Sequence, residues 1–409
     1  MTITATRVPT RFREAEERGR RLGRPLRLAA RIGGVDEDLM RRIGEKMLTR
    51  DELGGRLADA MRLRAGDPGR VTMDDFRAAL NEGIDAIEEP APALVEFFEA
   101  VERVPEWVDW DLLDDGARAY RRFGQNAADI LVVLSLIGGY RFGGPTDLLV
   151  ATGGLTGDMT VLRLAETQKW TVALSQPGAL RPGGEAWRLT VHVRAMHALV
   201  NQRFAPQWDV ERWGLPINQA DQAATLGLFD AVVLLGVRAL GVPVSRADSR
   251  AVMHLWRYVG WLIGVDEDLL VDSERERHRI NYHLLLAQAD ISEAGPQLAR
   301  AIVDAQRDLA FGRFARVRGW AARERVLSLM TVLLGPQSMA ELGLPLRPPW
   351  AVAYLLPLNL VRYRVAGRLP GGRARLERWG VRTSERILSR HYGDRPRDIG
   401  ALPSRPAER

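Results

Sequence analysis

Apolar residues recur at spacings of three and four along nearly the whole chain, and the alternation that marks β-strands is almost missing. Asn-Gly and Asp-Gly hairpin turns between apolar runs are also lacking. A chain patterned this way buries its apolar surface by packing helices on helices, so an all-α fold with more than ten helices is predicted. Thr72 with Asp75 reads as a capped helix start before Phe76, Ala79 and Leu80. Further helices are predicted over 93–104, 110–137, 158–174, 184–204, 218–240, 245–263, 272–289, 295–314, 321–334, 350–367 and 372–392. The stretch Ile130-Leu131-Val132-Val133-Leu134 is apolar on every side and belongs in a core.

Domain organisation follows from charge. Of the 58 basic residues, 56 are arginine, and Lys46 and Lys169 are the two lysines. Residues 1–31 net +6 and residues 362–409 net +8, which leaves −8 for residues 32–361. The basic pI near 10.0 therefore describes two ends around an acidic body, and no nucleic-acid partner is expected. We expect a basic, flexible segment over 1–31, one helical domain over 32–393 and a flexible tail over 394–409. No export signal is apparent, because Arg24, Arg27 and Arg31 interrupt the stretch after the Arg20-Arg21 pair. The longest uncharged runs, 327–340 and 348–361, fall short of a membrane span. A cytoplasmic protein is expected. The run Pro348–Val361, followed by Arg362, Arg364 and Arg368, has two readings. The first is a buried helix capping the bundle; the second is peripheral membrane contact through 348–368.

The chain has no cysteine, which excludes disulfides, thiolate metal sites, a thiolate-ligated haem and a cysteine nucleophile. Six histidines remain: His192, His197, His254, His278, His283 and His391. No H-E-x-x-H or E-x-x-H motif occurs, so neither a zinc protease nor a di-iron bundle is supported. The seven glycines between Gly138 and Gly157 form no phosphate-binding motif and read as sites of close helix approach. The cluster Glu274 to His283 reads as a solvated helix start. Arg163 and Thr167 share one face of a mostly apolar helix, and Arg163 reads as a buried ion-pair partner of Asp147 or Glu185. His197 lies among Val193, Met196 and Val200, and from pattern alone it reads as a satisfied core histidine.

The order of Arg163-Leu-Ala-Glu-Thr167, Pro177-Gly178, Pro182-Gly183-Gly184 and Val193-Arg194-Ala-Met-His197 resembles the core of the rubber oxygenases, or latex clearing proteins, and their relatives. Those relatives include a fungal oxygenase that shortens a farnesyl chain. The likeness extends over about residues 75–340, through Val104-Pro105-Glu106-Trp107, Gly214-Leu-Pro216-Ile217-Asn218-Gln219 and His254-Leu-Trp256 to Leu270. It implies one non-covalent haem b in a globin-like buried pocket, with His197 as the iron ligand. It further implies catalytic roles for Arg163, Thr167 and Asp147, with Arg163 a neighbour of the haem; Arg194 is one candidate among many for holding its propionates. The implied substrates are dioxygen and a hydrophobic unsaturated molecule, cleaved at a carbon–carbon double bond. Two positions depart from the pattern: Glu166 stands where some rubber oxygenases carry lysine, and Asp147 where they carry glutamate. A non-catalytic helical protein that binds haem or a lipid on the same scaffold remains the alternative.

Overall fold

The computed structural model describes residues 8–153 and 158–397, and among these every regular element is helical. The all-α expectation is met, with more than ten helices around one large apolar core and a small second cluster at Ala165, Leu388 and Tyr392. Thr72 caps its helix as its spacing predicts: its Oγ1 accepts the Asp75 amide and the Asp75 carboxylate accepts the Thr72 amide. Asn218 and Ser245 act likewise, accepting the Asp221 and Asp248 amides.

Several expected helices are broken in ways that position the site. The 110–137 helix divides at Gly124, where φ is +53° and a Cβ would lie 2.4 Å from the Trp379 ring. Only glycine suits that conformation and that contact. Its last two turns widen into a π-helix over Leu131–Ile137, a feature often found near functional sites. The 218–240 helix breaks at the fully buried Asp230 into Gln219–Phe229 and Ala231–Ala239. Gln219–Ala239 is long and apolar enough to cross a membrane, yet 67% of its most apolar window is buried inside the protein. It is part of the core.

The N-terminal segment corrects an expectation. Residues 8–31 pack on the bundle, with helices Glu16–Leu22 and Arg24–Ala30 against the helix Glu274–Leu286. The basic residues are used as internal ties. Arg11 is fully buried, donating to Asp221 at 2.5 Å and to the Trp213 carbonyl at 2.7 Å. Arg18 reaches the Arg141 carbonyl, Asp290 and Glu341. The part of this segment over 1–7 lies outside the described residues, as do Gly154 to Gly157 and residues 398–409.

The Glu274–His283 cluster is solvated only in part: Arg275, Glu276 and Arg279 are exposed as a solvated helix start would have them, whereas Arg277, His278 and His283 are nearly inaccessible. Charge there is neutralised in place. Glu274 accepts from Arg238 and Ser249, and its carboxyl is held down to about 2, its burial being outweighed by bonds to His278, Arg238 and Ser249. The segment from Trp350 onward also departs from its first reading. It is a surface helix, Trp350–Asn359, continued by a π-helix over Leu360–Ala366, and most of its apolar side chains are exposed.

Candidate functional site between two helices

The helices Asp158–Leu174 and Glu185–Phe204 form a hairpin joined by residues 175–184. They are tied where Trp170 Nε1 donates to Thr190 Oγ1 at 3.0 Å. Below this tie lies an aromatic floor. Trp170 meets Phe229 edge-on at 5.4 Å and Trp256 at 5.7 Å, while Phe229 and Trp256 stack at 5.3 Å. Such pairs add geometric specificity to the area they bury.

The spacing around the tie is symmetric. Thr167 and Arg163 stand three and seven residues before Trp170; Val193 and His197 stand three and seven after Thr190. Seven residues return a helix to within about 20° of the same face, roughly 10 Å along the axis. Counted from the tie, Arg163 and His197 thus lie at one level of the hairpin, one on each helix. At that level the side chains are not packed shut. Arg163 and Thr167 are exposed, and Val193, Met196 and His197 are only partly buried. Arg163 is therefore not the buried ion-pair partner that its apolar helix suggests. Thr167 Oγ1 donates to the Arg163 carbonyl at 3.1 Å, a local bond that leaves the guanidinium unengaged by it.

His197 also differs from expectation. Its Nδ1 is fully buried without a hydrogen-bond partner, while the ring as a whole keeps accessible surface. Burial pushes its pKa down, with Gln222 and Asp51 acting against that shift. The ring is therefore neutral near pH 7. The Gln222 side chain faces it, and Gln222 Oε1 is itself a buried acceptor short of full hydrogen-bond geometry. Gln222 escaped the sequence reading because it lies in a helix counted as apolar. The available signal was the run Gln219, Asp221 and Gln222, all buried despite their polarity.

Most other histidines are occupied. His254 Nε2 accepts the Asp109 amide at 3.0 Å. His283 Nε2 accepts the Asp36 amide and its Nδ1 faces the Arg279 carbonyl. His278 Nε2 lies 3.4 Å from Glu274 while its buried Nδ1 has no hydrogen-bond partner, and His391 Nδ1 faces the Ile387 carbonyl at 2.9 Å. His192 points about 140° away from His197 on its helix. Among the described residues no cluster of three or more His, Asp or Glu could hold a metal ion.

Two expected site residues are engaged by neighbours of their own. Arg194 is a structural tie: its Nε and one terminal nitrogen each meet Asp51 at 2.7 Å, and it lies 5.5 Å above the Phe97 ring. A bidentate, buried pair of this kind leaves little for a ligand, so the expected role of Arg194 beside a cofactor is withdrawn. Asp147 is the third residue of the helix Pro145–Ala151, and its Oδ2 accepts the Gly144 amide at 2.8 Å. Among the described residues no hydrogen bond or ion pair links Asp147 to Arg163, Thr167 or His197.

An all-helical bundle with one neutral, partly buried imidazole on a two-helix hairpin defines a class that the comparisons resolve. Residues 136–368 match the family described as ER-bound oxygenase mpaB/B'/Rubber oxygenase, catalytic domain, and the chain belongs to that family. A rubber oxygenase from Streptomyces sp. (strain K30) is 26% identical over 181 residues, or 43% of this chain and 44% of that protein. The matched stretch is thus less than half of that relative. The solved structure of latex clearing protein LCP in the closed state has the same fold, with a TM-score of 0.64, covering 91% of this chain and 96% of the other at 19% identity.

Proposed function

We propose that this chain is a haem b-dependent oxygenase that cleaves or oxidises a hydrophobic, isoprenoid-like unsaturated substrate with dioxygen. The observation that carries the proposal is His197: a neutral imidazole with one nitrogen buried against Gln222 and the rest of the ring partly open. A hydrogen on Nδ1 directed at Gln222 Oε1 leaves the Nε2 lone pair free, which is how a second residue sets the tautomer of a metal-ligating histidine. The donor set fits a haem iron, which needs one axial imidazole, better than a metal that needs several protein ligands. When bound, haem supplies the activation of dioxygen, which no side chain of this chain can perform.

The remaining steps belong to the protein. Arg163 stands exposed on the other helix of the hairpin, and a guanidinium is suited to stabilise negative charge that develops on oxygen. Thr167, one turn along, offers a hydroxyl by giving up its bond to the Arg163 carbonyl. Asp147 is the candidate base for an allylic proton, with one oxygen held by Gly144. The apolar side chains Val193 and Met196 and the aromatic floor exclude water and accept a hydrocarbon chain. Cleavage balances without a further reductant, since one carbon–carbon double bond and one dioxygen yield two carbonyl groups.

A non-catalytic binder of haem or lipid is the second reading, favoured by Asp147 being engaged as a helix cap. Purification with added haem tests the shared premise. A Soret band is expected in the wild type and lost in His197→Ala. Colourless wild-type protein would overturn both haem readings. Oxygen uptake with a panel of isoprenoid alkenes then separates them, with a substantial loss expected in Arg163→Ala.

A further inference from the structure

The segment from Trp350 to Leu369 is built inside out. Its inward row is Ala351, Leu355, Asn359 and Tyr363, four residues apart, and two of those four are polar. Asn359 is fully buried; its amide donates to Asn126 Oδ1 at 2.7 Å and to the Leu240 carbonyl at 2.8 Å. Tyr363 donates to the Arg122 carbonyl at 2.6 Å. These bonds fix the rotation of the helix, because turning it would strand buried polar groups. The outward row is Trp350, Tyr354, Leu358, Val361, Val365 and Leu369, each between 41% and 59% exposed. A soluble surface helix normally shows water the opposite pattern.

Charge decides what covers this row. Residues 348–376 hold Arg362, Arg364, Arg368, Arg373 and Arg375 and no acidic residue. Arg364 and Arg368 are exposed, and among the described residues neither forms an ion pair. Trp350 and Tyr354 stack at 6.0 Å at the other end, rings suited to a boundary between apolar and wet surroundings. A second copy of the chain would add five more arginines and no acidic residue to the shared face, which costs energy. An anionic partner with an apolar interior satisfies both halves of the surface.

We infer that the face formed by Trp350 to Leu369 docks on the surface of a bilayer containing anionic lipid. The helix lies in the interface plane, with Leu358, Val361 and Val365 among the acyl chains and Arg364 and Arg368 at the phosphates. The fixed polar row on the inner side makes the docking face rigid before it meets lipid.

Co-sedimentation of the full chain with phosphatidylcholine vesicles, with and without phosphatidylglycerol, tests this. Binding is expected with the anionic vesicles and is expected to weaken with salt. Arg364→Ala with Arg368→Ala lowers it by about twenty-five-fold, at about fivefold for each cation removed. Val361→Glu with Val365→Glu abolishes it, while circular dichroism and the melting temperature stay at wild-type values because both positions face outward. No recovery with anionic vesicles, or recovery unchanged by the arginine pair, overturns the inference. So does light scattering that gives a vesicle-free dimer which the glutamate pair converts to monomer.

Discussion

The hairpin around His197 and the surface segment around Asn359 both invert the usual rule, in opposite senses. Near His197 the surroundings are apolar and one buried nitrogen is left without a full partner. Near Asn359 every inward polar group is bonded, and it is the apolar side chains that are left without neighbours. An unpaired buried nitrogen costs free energy comparable to a lost hydrogen bond, and here the Gln222 side chain beside Nδ1 can supply that bond while Nε2 is kept for a ligand. Uncovered leucine and valine forgo the gain of burial, and a protein tolerates that where a partner surface supplies it. One region is incomplete toward a small ligand and the other toward a surface.

The largest expected effect comes from removing the floor beneath the first region. Trp170→Ala deletes a buried ring that meets Phe229 and Trp256 and ties the hairpin to Thr190. A loss of about 3–5 kcal/mol is expected in urea unfolding. Loss of less than about 1 kcal/mol would mean that the hairpin is not held where the site needs it. The second region is probed by a pair of changes. Asn359→Ala strands the Asn126 and Leu240 oxygens and should cost about 1–3 kcal/mol, whereas Val361→Ser, two residues on, should cost about 0.5 kcal/mol or less. Equal costs would erase the distinction between an inward polar row and an outward apolar one.

The smallest effect concerns pH. Burial lowers the pKa of His197, His283 and His391, so the unfolded chain binds protons that the folded chain refuses. Stability is therefore full above the ordinary histidine value, about 6.5, and falls as pH drops from there through the lowered folded values. His197→Gln in haem-free protein should flatten that decline, since one of the three groups is gone. An unchanged slope in acid-range urea titrations would show that His197 contributes nothing to it.

Much of this organisation was legible in residue spacing. Thr72 with Asp75 announced its helix, and the helices 158–174 and 372–392 begin and end where the pattern predicts. His197 on an apolar face was legible too, as was the four-residue spacing of Arg163 and Thr167. What spacing concealed was the partner. Arg194 looks as available as Arg163 until Asp51, 143 residues away, occupies it. Arg11 looks like part of a loose basic end until Asp221 buries it. The helix breaks at Gly124 and Asp230 were missed because the apolar pattern runs through both.

The sequence alone determined that this chain folds as helices, that it uses no thiolate, and that few imidazoles stand on apolar faces. Those properties rest on local periodicity and on side-chain chemistry, which need no knowledge of distant contacts. Only the tertiary structure decided that His197 Nδ1 is buried beside Gln222, that Arg163 stays exposed while Arg194 is tied to Asp51, and which side of the Trp350 helix meets the outside. Each of those depends on hydrogen-bond partners brought from far along the chain, and a buried polar group is satisfied or stranded only once they have arrived.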